Sequence, residues 1–461
     1  MALEKLPSDW RQSTLGEVAD PNSKAIVSGP FGSNIGSRFF VEQGVPVIRG
    51  NNLTTDLTRF IDNGFVFITT AKADELGNCE AAADDLIFTA AGSLGQVGII
   101  PRAAKYTRYI ISNKQLRARV DSNQVDPLFA FYWFSSREMV EYVQRRNTGS
   151  SVPLINLSVL RSLPLPLPPL AEQRAIAHIL GTMDDKIELN RQMNEILEAM
   201  ARALFKSWFV EFEPVRAKAE GRDLGLPKHL ADLFPDSFEE SELGSIPQGW
   251  EVTSLAQCVD VTRGLSYKGS DLSENGVPMH NLNSIYEGGG YKRGGVKYYK
   301  GEYRPQHVTR PGDLIVANTE QGHDRLLIGY GAIVPRQFEG ETIFSHHVYR
   351  VNPKRASGLT TFYLCHLLNT RAMHNIVSGY ANGTTVNMLP VDGLQSPQIV
   401  RPPLALVRVF NEFAEATLKR RDQMADEDQC LLALRDSLLP KLISGELRVK
   451  DAERFLTDRG L

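Results

Sequence analysis

The chain has 461 residues, of which 42% are hydrophobic and 23% charged, and its net charge at pH 7 is −3. The length predicts about three structural units, and the composition excludes a broadly disordered chain. The bulk charge argues weakly against nucleic-acid binding but does not exclude it, because such binding depends on local basic surfaces.

The four cysteines, Cys79, Cys258, Cys365 and Cys430, show no C-x-x-C spacing. We therefore expect reduced thiols, as in a cytoplasmic protein, and no metal site. The N-terminal stretch lacks the apolar core of a signal peptide, and no apolar run reaches the length of a membrane span. The sequence thus predicts a soluble cytoplasmic protein without membrane contact.

Several motifs occur twice in the same order, which predicts two halves of similar fold. The segment Leu6-Pro-x-x-Trp10 returns as Ile246-Pro-x-x-Trp250. Farther along, a constant offset of 234 residues relates Ile100–Arg102 to Val334–Arg336, Ser136–Met139 to Thr370–Met373, Gly149–Val152 to Gly383–Val386, and Pro168–Leu170 to Pro402–Leu404.

Each half begins with short strands broken by Gly, Asn and Pro, such as Val45–Ile48, Asp85–Thr89 and Val97–Ile100 in the first half. A short helix near Pro127–Arg146 and a proline-rich strand over Leu163–Pro169 come next. The predicted fold class is therefore mixed α/β (α+β), with an internal pseudo-twofold repeat.

A long helix is predicted at the end of each half, from Leu170 to about Phe209 and from Leu404 to about Leu439. Apolar residues recur at spacings of three and four along both helices, and Asn190 and Asn194 interrupt the first seam. Each rod would be roughly 50–60 Å long. Such rods need partners of similar length, so we expect an antiparallel coiled coil; packing of each helix on its own domain is the alternative.

These elements divide the chain into five predicted segments. Residues 1–167 form the first domain, 168–212 the first long helix, 213–245 a connector, 246–400 the second domain, and 401–461 the second long helix and C-terminal tail.

Catalytic motifs are missing from the sequence. It contains no phosphate loop and no amino-methyltransferase motif. Gly92-x-x-Gly95-x-x-Gly98 lacks the strand-to-helix context of a dinucleotide site and is interpreted as a turn. The pair His346–His347 has no further ligands near it in sequence. We therefore expect a binding protein without catalytic residues, metal or cofactor of its own.

Two polar stretches at matching places are candidate base contacts. Arg49, Asn51 and Asn52 come directly after the strand Val45–Ile48, and the second half offers Asn281 and Asn283. Arginine and asparagine side chains can make bidentate contacts to guanine and adenine edges respectively. The alternative is that Gly50–Asn52 is simply a turn.

Basic and hydroxyl residues near these strands are candidate phosphate contacts, which supply affinity without sequence information. An ordinary solvated surface or loop-shaping hydroxyl groups are the alternatives. The candidates are Arg102, Lys105, Arg145, Arg146, Ser150 and Ser151 in the first half, and Lys292, Arg293, Lys297, Thr384 and Thr385 in the second.

As a set, these motifs resemble the specificity subunits of type I restriction–modification systems. The resemblance rests on the repeated Leu6–Trp10 motif and on Gly44–Leu53, Pro166–Arg174, Ala203–Phe209 and Leu438–Leu447, and it covers nearly the whole chain. The second half departs from the pattern, because Leu404-Ala-Leu-Val-Arg408 replaces Leu170-Ala-Glu-Gln-Arg174.

The resemblance implies two target-recognition domains separated by two antiparallel helices that act as a ruler. Each domain would read one part of a split site in double-stranded DNA. If the two helices hold both domains on the same side of a duplex, geometry predicts half-site centres about one helical turn, or roughly 10 bp, apart. The helices would dock two modification subunits, which methylate adenine with S-adenosylmethionine. A restriction subunit would use ATP and Mg²⁺ to translocate and cut DNA.

Two other classes of function remain open from the sequence. One is a specificity chain in which recognition is fused to cleavage, which the missing catalytic motifs disfavour. The other is a helical scaffold without a DNA role, which a gel shift at defined salt concentration distinguishes from a DNA reader.

Overall fold

The computed structural model describes residues 6–149, 152–321, 324–338, 340–383 and 386–452. The chain divides into two compact units. Unit 1 consists of Met1–Glu188 and Gln429–Leu461, and unit 2 of Leu189–Asp428.

Unit 1 carries a two-stranded, a four-stranded and a five-stranded sheet. Their orders are β1-β11, β2-β10-β7-β8 and β3-β5-β4-β9-β6, and of these strand pairs only β4–β9 is parallel. The strands are β1 (Arg11–Thr14), β2 (Ile26–Ser28), β3 (Phe40–Val41), β4 (Val45–Ile48), β5 (Val66–Ile68), β6 (Glu80–Ala81), β7 (Leu86–Thr89), β8 (Val97–Ile99), β9 (Tyr109–Ile111), β10 (Gln115–Ala118) and β11 (Pro164–Leu167).

The short helices of unit 1 are α1 (Thr70–Glu75), α2 (Pro127–Phe134), α3 (Arg137–Arg145) and α4 (Leu157–Arg161). The single helix predicted near Pro127–Arg146 is thus two helices. The break comes where Ser136 caps α3, because its hydroxyl accepts a hydrogen bond from the Met139 amide at 3.4 Å. The long helix α5 spans Leu170–Phe209, as predicted.

Unit 2 repeats this arrangement and adds two further strand pairs, the hairpin β12-β13 and the pair β21-β25, whose strands are distant in sequence. Its other sheets are β14-β26, β15-β24-β20-β22 and β16-β18-β17-β23-β19. The strands are β12 (Phe238–Ser241), β13 (Gly244–Pro247), β14 (Glu251–Ser254), β15 (Val259–Arg263), β16 (Leu272–Ser273), β17 (Val277–His280), β18 (Lys297–Tyr299), β19 (Val308–Thr309), β20 (Leu314–Ala317), β21 (Thr319–Gln321), β22 (Gly331–Ile333), β23 (Thr342–Phe344), β24 (Val348–Pro353), β25 (Val386–Met388) and β26 (Gln398–Arg401).

The short helices of unit 2 are α6 (Glu213–Ala219), α7 (Lys228–Ala231), α8 (Leu255–Cys258), α9 (Thr361–Leu368), α10 (Arg371–Gly379) and α11 (Val391–Gln395). The long α12 (Leu404–Ser444) belongs to unit 2 up to Asp428 and to unit 1 from Gln429 onward. The connector residues Val215 and Phe234 are buried in the core of unit 2. Helix α12 runs beyond the predicted end near Leu439 and includes Pro440. Burial of Leu442 and Ile443 in the core of unit 1 stabilises this last turn despite the proline.

The two units share one strand topology, which confirms the internal repeat. In unit 1 the central parallel pair aligns Val47 with Ile110, and in unit 2 the equivalent pair aligns Met279 with Ile343. In unit 1, β4 pairs in parallel with β9, and β9 continues through a tight turn into β10 of the four-stranded sheet. In unit 2, β17 pairs in parallel with β23, which continues in the same way into β24. Turns and loops after equivalent strands can therefore be compared position by position.

The two long helices pack together in antiparallel fashion, as predicted for a coiled coil. Within unit 2, α5 residue Asn190 donates to Asp428 of α12 at 2.8 Å, and the later Glu198 pairs with the earlier Arg421 at 3.1 Å. Within unit 1, Asp184 accepts from Arg435 at 2.8 Å. Asn190 is thus a buried polar position on the seam with defined partners, which suits its predicted role in fixing register.

The described residues contain neither a membrane span nor a cluster of metal ligands. None of the helices in these ranges combines the length and hydrophobicity needed to cross a bilayer. In the same ranges, no group of three or more His, Cys, Asp or Glu side chains converges as metal ligands would.

Candidate functional site

The turn after β4 carries the first group of candidate residues. Gly50–Asn52 forms a 3₁₀ turn in which Asn52 is fully buried. The Asn52 amide donates to the carbonyls of Ile61 and Asn63 at 2.9 Å, and its oxygen accepts from the Arg49 amide at 2.9 Å. Asn52 therefore holds the loop together from inside, whereas Asn51 is exposed at its surface.

The equivalent turn of unit 2 comes after β17 and shows the same division. Asn281 is buried, and its amide donates to the Gly295 carbonyl at 2.8 Å while its oxygen accepts from the Asn283 amide at 3.0 Å. Asn283 itself is exposed. Each unit thus presents one exposed asparagine at the same place. The prediction of Asn52 and Asn281 as base contacts is corrected, because both side chains are buried and hydrogen-bonded within the fold.

The basic candidates of unit 1 lie on exposed surface and mostly have acidic or aromatic neighbours. Arg102 pairs with Asp84 at 2.9 Å, and Arg145 pairs with Glu141 at 3.3 Å. The guanidinium of Arg146 lies 4.3 Å above the Tyr142 ring. Lys105 is exposed, and its backbone amide donates to Asp62 at 2.6 Å. These side chains remain available to phosphates because surface pairs of this kind are weak.

The basic candidates of unit 2 differ among themselves. Lys292 is exposed, with its ammonium group 5.8 Å from the Tyr286 ring centre. Lys297 is half-buried and donates to the Tyr267 hydroxyl at 3.3 Å. Arg293 pairs with the buried Asp422 of α12, so its role in the fold is to hold a loop of unit 2 on that helix.

The four hydroxyl candidates, Ser150, Ser151, Thr384 and Thr385, lie outside the described residues. Their interpretation as phosphate contacts therefore remains a prediction from the sequence.

A cavity of about 460 Å³ opens in unit 1 beside Arg49, and we refer to it as the Arg49 cavity. Asn51 lines it together with Asn113 and Lys114, which lie in the turn between β9 and β10, and with Gln115, the first residue of β10. This turn was not among the candidates predicted from the sequence. The internal repeat could have identified this turn. Its strands have the same register as those around the equivalent turn of unit 2, but that turn holds the unlike pair His346–His347, so the turn differs between the units while its scaffold is shared.

The motif at the start of α5 serves the fold of unit 1. Glu172 accepts from Trp10 Nε1 at 3.2 Å and pairs with Arg448 at 2.9 Å. Gln173 is buried, and its amide bonds the carbonyls of Gln124 and Pro168 at 3.0 and 2.9 Å. These contacts give Glu172 and Gln173 roles within unit 1, whereas Arg174, the next residue of the motif, is exposed.

The departure from this motif in unit 2 has a visible consequence. The residues equivalent to Glu172 and Gln173 are Leu406 and Val407, and both are fully buried. The repeated Trp250 is also buried, and its Nε1 finds no hydrogen-bond partner among the described residues. The two helix starts are therefore built differently although the helices themselves are equivalent.

Helix α5 also presents an apolar stripe that was not predicted from the sequence. Leu189, Met193, Ile196 and Met200 are 40–53% exposed. Their spacing of four, three and four residues places them on one face of the helix, beside the seam. Large apolar residues clustered on a surface mark interaction sites more often than residues scattered singly.

Buried histidines distinguish unit 2 electrostatically. His280 ends β17 with no exposed surface, and burial lowers its pKa to about 4. Burial also lowers the pKa of His307, His347, His366 and His374. Neutral imidazoles at these places suit structural roles, and His280 shares a hydrogen bond of 2.9 Å with the Tyr291 hydroxyl.

Comparison with known proteins gives a consistent result. Residues 7–199 match the sequence model described as "Type I restriction modification DNA specificity domain". The chain is 24% identical to the type I restriction enzyme MjaIX specificity subunit of Methanocaldococcus jannaschii, over 97% of this chain and 96% of that protein. It is 25% identical to the HindI specificity subunit of Haemophilus influenzae, over 74% and 81% of the two chains.

A solved structure has the same fold. The crystal structure of a type I restriction-modification system S subunit from M. genitalium covers 95% of this chain and 97% of its own, with a TM-score of 0.58 at 15% identity. The fold, the repeated motifs and the full-length relatives agree with one another. Residues 7–199 therefore match the type I restriction modification DNA specificity domain, and the chain is similar over nearly its whole length to a type I restriction enzyme specificity subunit.

Proposed function

We propose that this chain selects a bipartite site in double-stranded DNA, with each unit reading one part. The observation that carries the proposal is the repeated turn after the parallel central strand, which exposes Asn51 in unit 1 and Asn283 in unit 2. Asparagine reads adenine through paired hydrogen bonds in the major groove. The two turns share a scaffold but differ in the residues around these asparagines, which suits two different half-sites.

Affinity for the duplex would come from the exposed basic residues. Arg102, Lys105, Arg145 and Arg146 in unit 1 and Lys292 in unit 2 are the best placed candidates for phosphate contacts, since their side chains are accessible. Such contacts add affinity that falls steeply with salt and carries no sequence information.

The chain would also dock two modification subunits, and the apolar stripe on α5 is our candidate surface for one of them. Leu189, Met193, Ile196 and Met200 have the spacing with which one helix packs against another. We propose that a helix of a modification subunit occupies this stripe, because the resemblance to type I specificity subunits implies that the long helices dock modification subunits.

Chemistry is assigned to the partners in this proposal. The modification subunits would supply S-adenosylmethionine-dependent adenine methylation, and a restriction subunit would supply ATP- and Mg²⁺-dependent translocation and cleavage. This chain would contribute recognition and positioning only. Incubation of the purified chain alone with DNA, S-adenosylmethionine and Mg²⁺ tests this division, and methyl transfer or cleavage would contradict it.

Mapping methylated adenines in cells that carry the complete system tests the bipartite site directly. We expect a motif with two specified parts separated by unspecified bases. A single short continuous motif would refute the proposal. Exchanging residues 21–160 for those of a relative should then change one part of the motif only, and a change in both parts would show that the units do not read independently.

A further inference from the structure

The Arg49 cavity is unusual in its polarity. Arg49 and Lys114 are among its lining residues, and none of the described residues that line it is Asp or Glu. The chain as a whole carries more acidic than basic residues, 54 against 51. A concave site with two cations and no carboxylate attracts an anion, because nothing in its wall offsets the positive charge.

Two buried donors in this wall lack partners. Gln115 is 1% exposed, and its Nε2 has no hydrogen-bond partner among the described residues, while its Oε1 accepts from Ser112. Arg49 bonds the Gly64 carbonyl through Nη2 at 3.2 Å, but its Nε is buried without a partner in the described part of the chain. An unsatisfied buried donor costs free energy that a ligand oxygen would recover.

Unit 2 lacks this arrangement at the equivalent place. By strand register, Asn281 stands where unit 1 has Arg49, and His347 and Val348 stand where unit 1 has Lys114 and Gln115. Burial lowers the pKa of His347, which keeps its imidazole neutral at pH 7. The donor-rich cavity is thus a property of unit 1 and not of the shared scaffold.

We infer that the Arg49 cavity binds a phosphate group of the DNA backbone. This inference rests on the proposed function, since it names a subsite of the same DNA-binding unit. A phosphodiester supplies the negative charge that Arg49 and Lys114 match and the acceptor oxygens that the free donors of Gln115 and Arg49 require. Held in a pocket instead of on open surface, this phosphate would fix the position of unit 1 along the duplex.

Filling the cavity without altering charge gives the sharpest test. In Gly50→Ala the new methyl group would meet Gln96 Oε1 at 3.6 Å and Gln115 Nε2 at 3.9 Å, which is ordinary contact. It therefore narrows the cavity and leaves the fold intact. Gly77→Ala is the matched control, because a methyl group there meets nothing within 4 Å.

The measurement is the affinity of the full-length chain, assembled with its modification subunits, for a duplex that carries the mapped site, at several salt concentrations. We expect Gly50→Ala to weaken binding and to reduce the slope of log K against log salt by about 0.9, the value for one phosphate. Discrimination between cognate and non-cognate duplexes should stay unchanged. Lys114→Gln should reduce the slope similarly, and Gly77→Ala should match the wild type.

If Gly50→Ala leaves the slope of log K against log salt unchanged, the inference is wrong. It is also wrong if the variant keeps the slope but no longer distinguishes cognate from non-cognate bases at one half-site, since that result indicates a base contact. If the wild-type assembly fails to bind the duplex, the proposed function fails instead. Titration of the full-length chain with inorganic phosphate then decides: binding that Gly50→Ala abolishes supports an anion site, and absence of binding by the wild type overturns it.

Discussion

At the scale of single residues, equivalent positions in the two units have taken different roles. Glu172 gives Trp10 a hydrogen-bond acceptor and gives Arg448 a counter-charge, whereas Leu406 leaves Trp250 Nε1 buried and unpaired among the described residues. The same applies to His280, which stands where unit 1 has Ile48. Whether the side chain at such a position is polar or apolar therefore differs between the units, according to the neighbouring residues in each.

The Glu172 contacts predict a graded loss of stability. Glu172→Leu should lower the free energy of unfolding by about 2 kcal/mol, because it leaves Trp10 Nε1 buried without an acceptor and removes the pair with Arg448. Glu172→Gln keeps an acceptor for Trp10 and should cost about 1 kcal/mol. Urea unfolding of the full-length chain measures both values.

The control for this series is Glu75→Leu, which removes a surface pair with Lys72. It should change the free energy of unfolding by less than about 0.5 kcal/mol. Equal losses for Leu and Gln at position 172 would show that the Trp10 hydrogen bond contributes nothing.

At the scale of elements, the sequence predicted the features that local pattern determines. The bounds of α5, the start of α12 and the strand Val45–Ile48 came from proline positions and apolar spacing. Which residues become buried depends on pairing between distant segments, so the sequence could not separate Asn51 from Asn52. The parallel pairing of β4 with β9 brings Asn113, Lys114 and Gln115 beside Arg49. No local sequence pattern predicts this proximity.

The stripe on α5 predicts a specific defect in assembly. Ile196→Glu places a charge in the middle of the proposed helix contact and should weaken binding to the modification subunits about tenfold or more. Ala199→Glu adds the same charge at an exposed position of α5 off the stripe. Co-purification and size-exclusion chromatography of the two variants compare them directly.

The Ala199→Glu chain should assemble like the wild type, and both variants should keep the wild-type helical content by circular dichroism. Normal assembly of Ile196→Glu would assign the stripe no part in docking.

At the scale of the whole molecule, the histidines are unevenly divided between the two units. Unit 1 contains one histidine, His178, whereas unit 2 contains five whose pKa burial lowers. A histidine with a lowered pKa in the folded state binds its proton more readily when unfolded. The stability of unit 2 is therefore fully present above about pH 6.5 and declines as the pH falls toward the folded pKa values.

We accordingly expect unit 2 to lose protection first in acid. Hydrogen–deuterium exchange at about pH 7.5 and pH 5, corrected for intrinsic rates, should show the loss in residues 189–428 and little change in residues 6–188. His280→Ile, which copies the residue of unit 1, should flatten the decline between pH 6.5 and pH 4 by up to about 3 kcal/mol.

The exposed His229 provides the control variant, His229→Gln, which removes an imidazole from the surface of unit 2 and not from its core. The hydrogen bond that His280→Ile removes from Tyr291 shifts stability at every pH and leaves the slope unaffected. An identical pH dependence for wild type and His280→Ile would contradict the prediction.

The unequal helix starts restrict how genes of this kind can be recombined. A crossover that joins the opening strands of unit 1 to the Leu404–Arg408 version of the helix start would strand the indole of Trp10 beside leucine. A crossover inside residues 21–160 transfers the proposed recognition segment and leaves Trp10 with Glu172. New specificities should therefore arise by exchange of the segment between these borders, and hybrids joined at the helix start should be less stable by about 2 kcal/mol, the loss expected for Glu172→Leu.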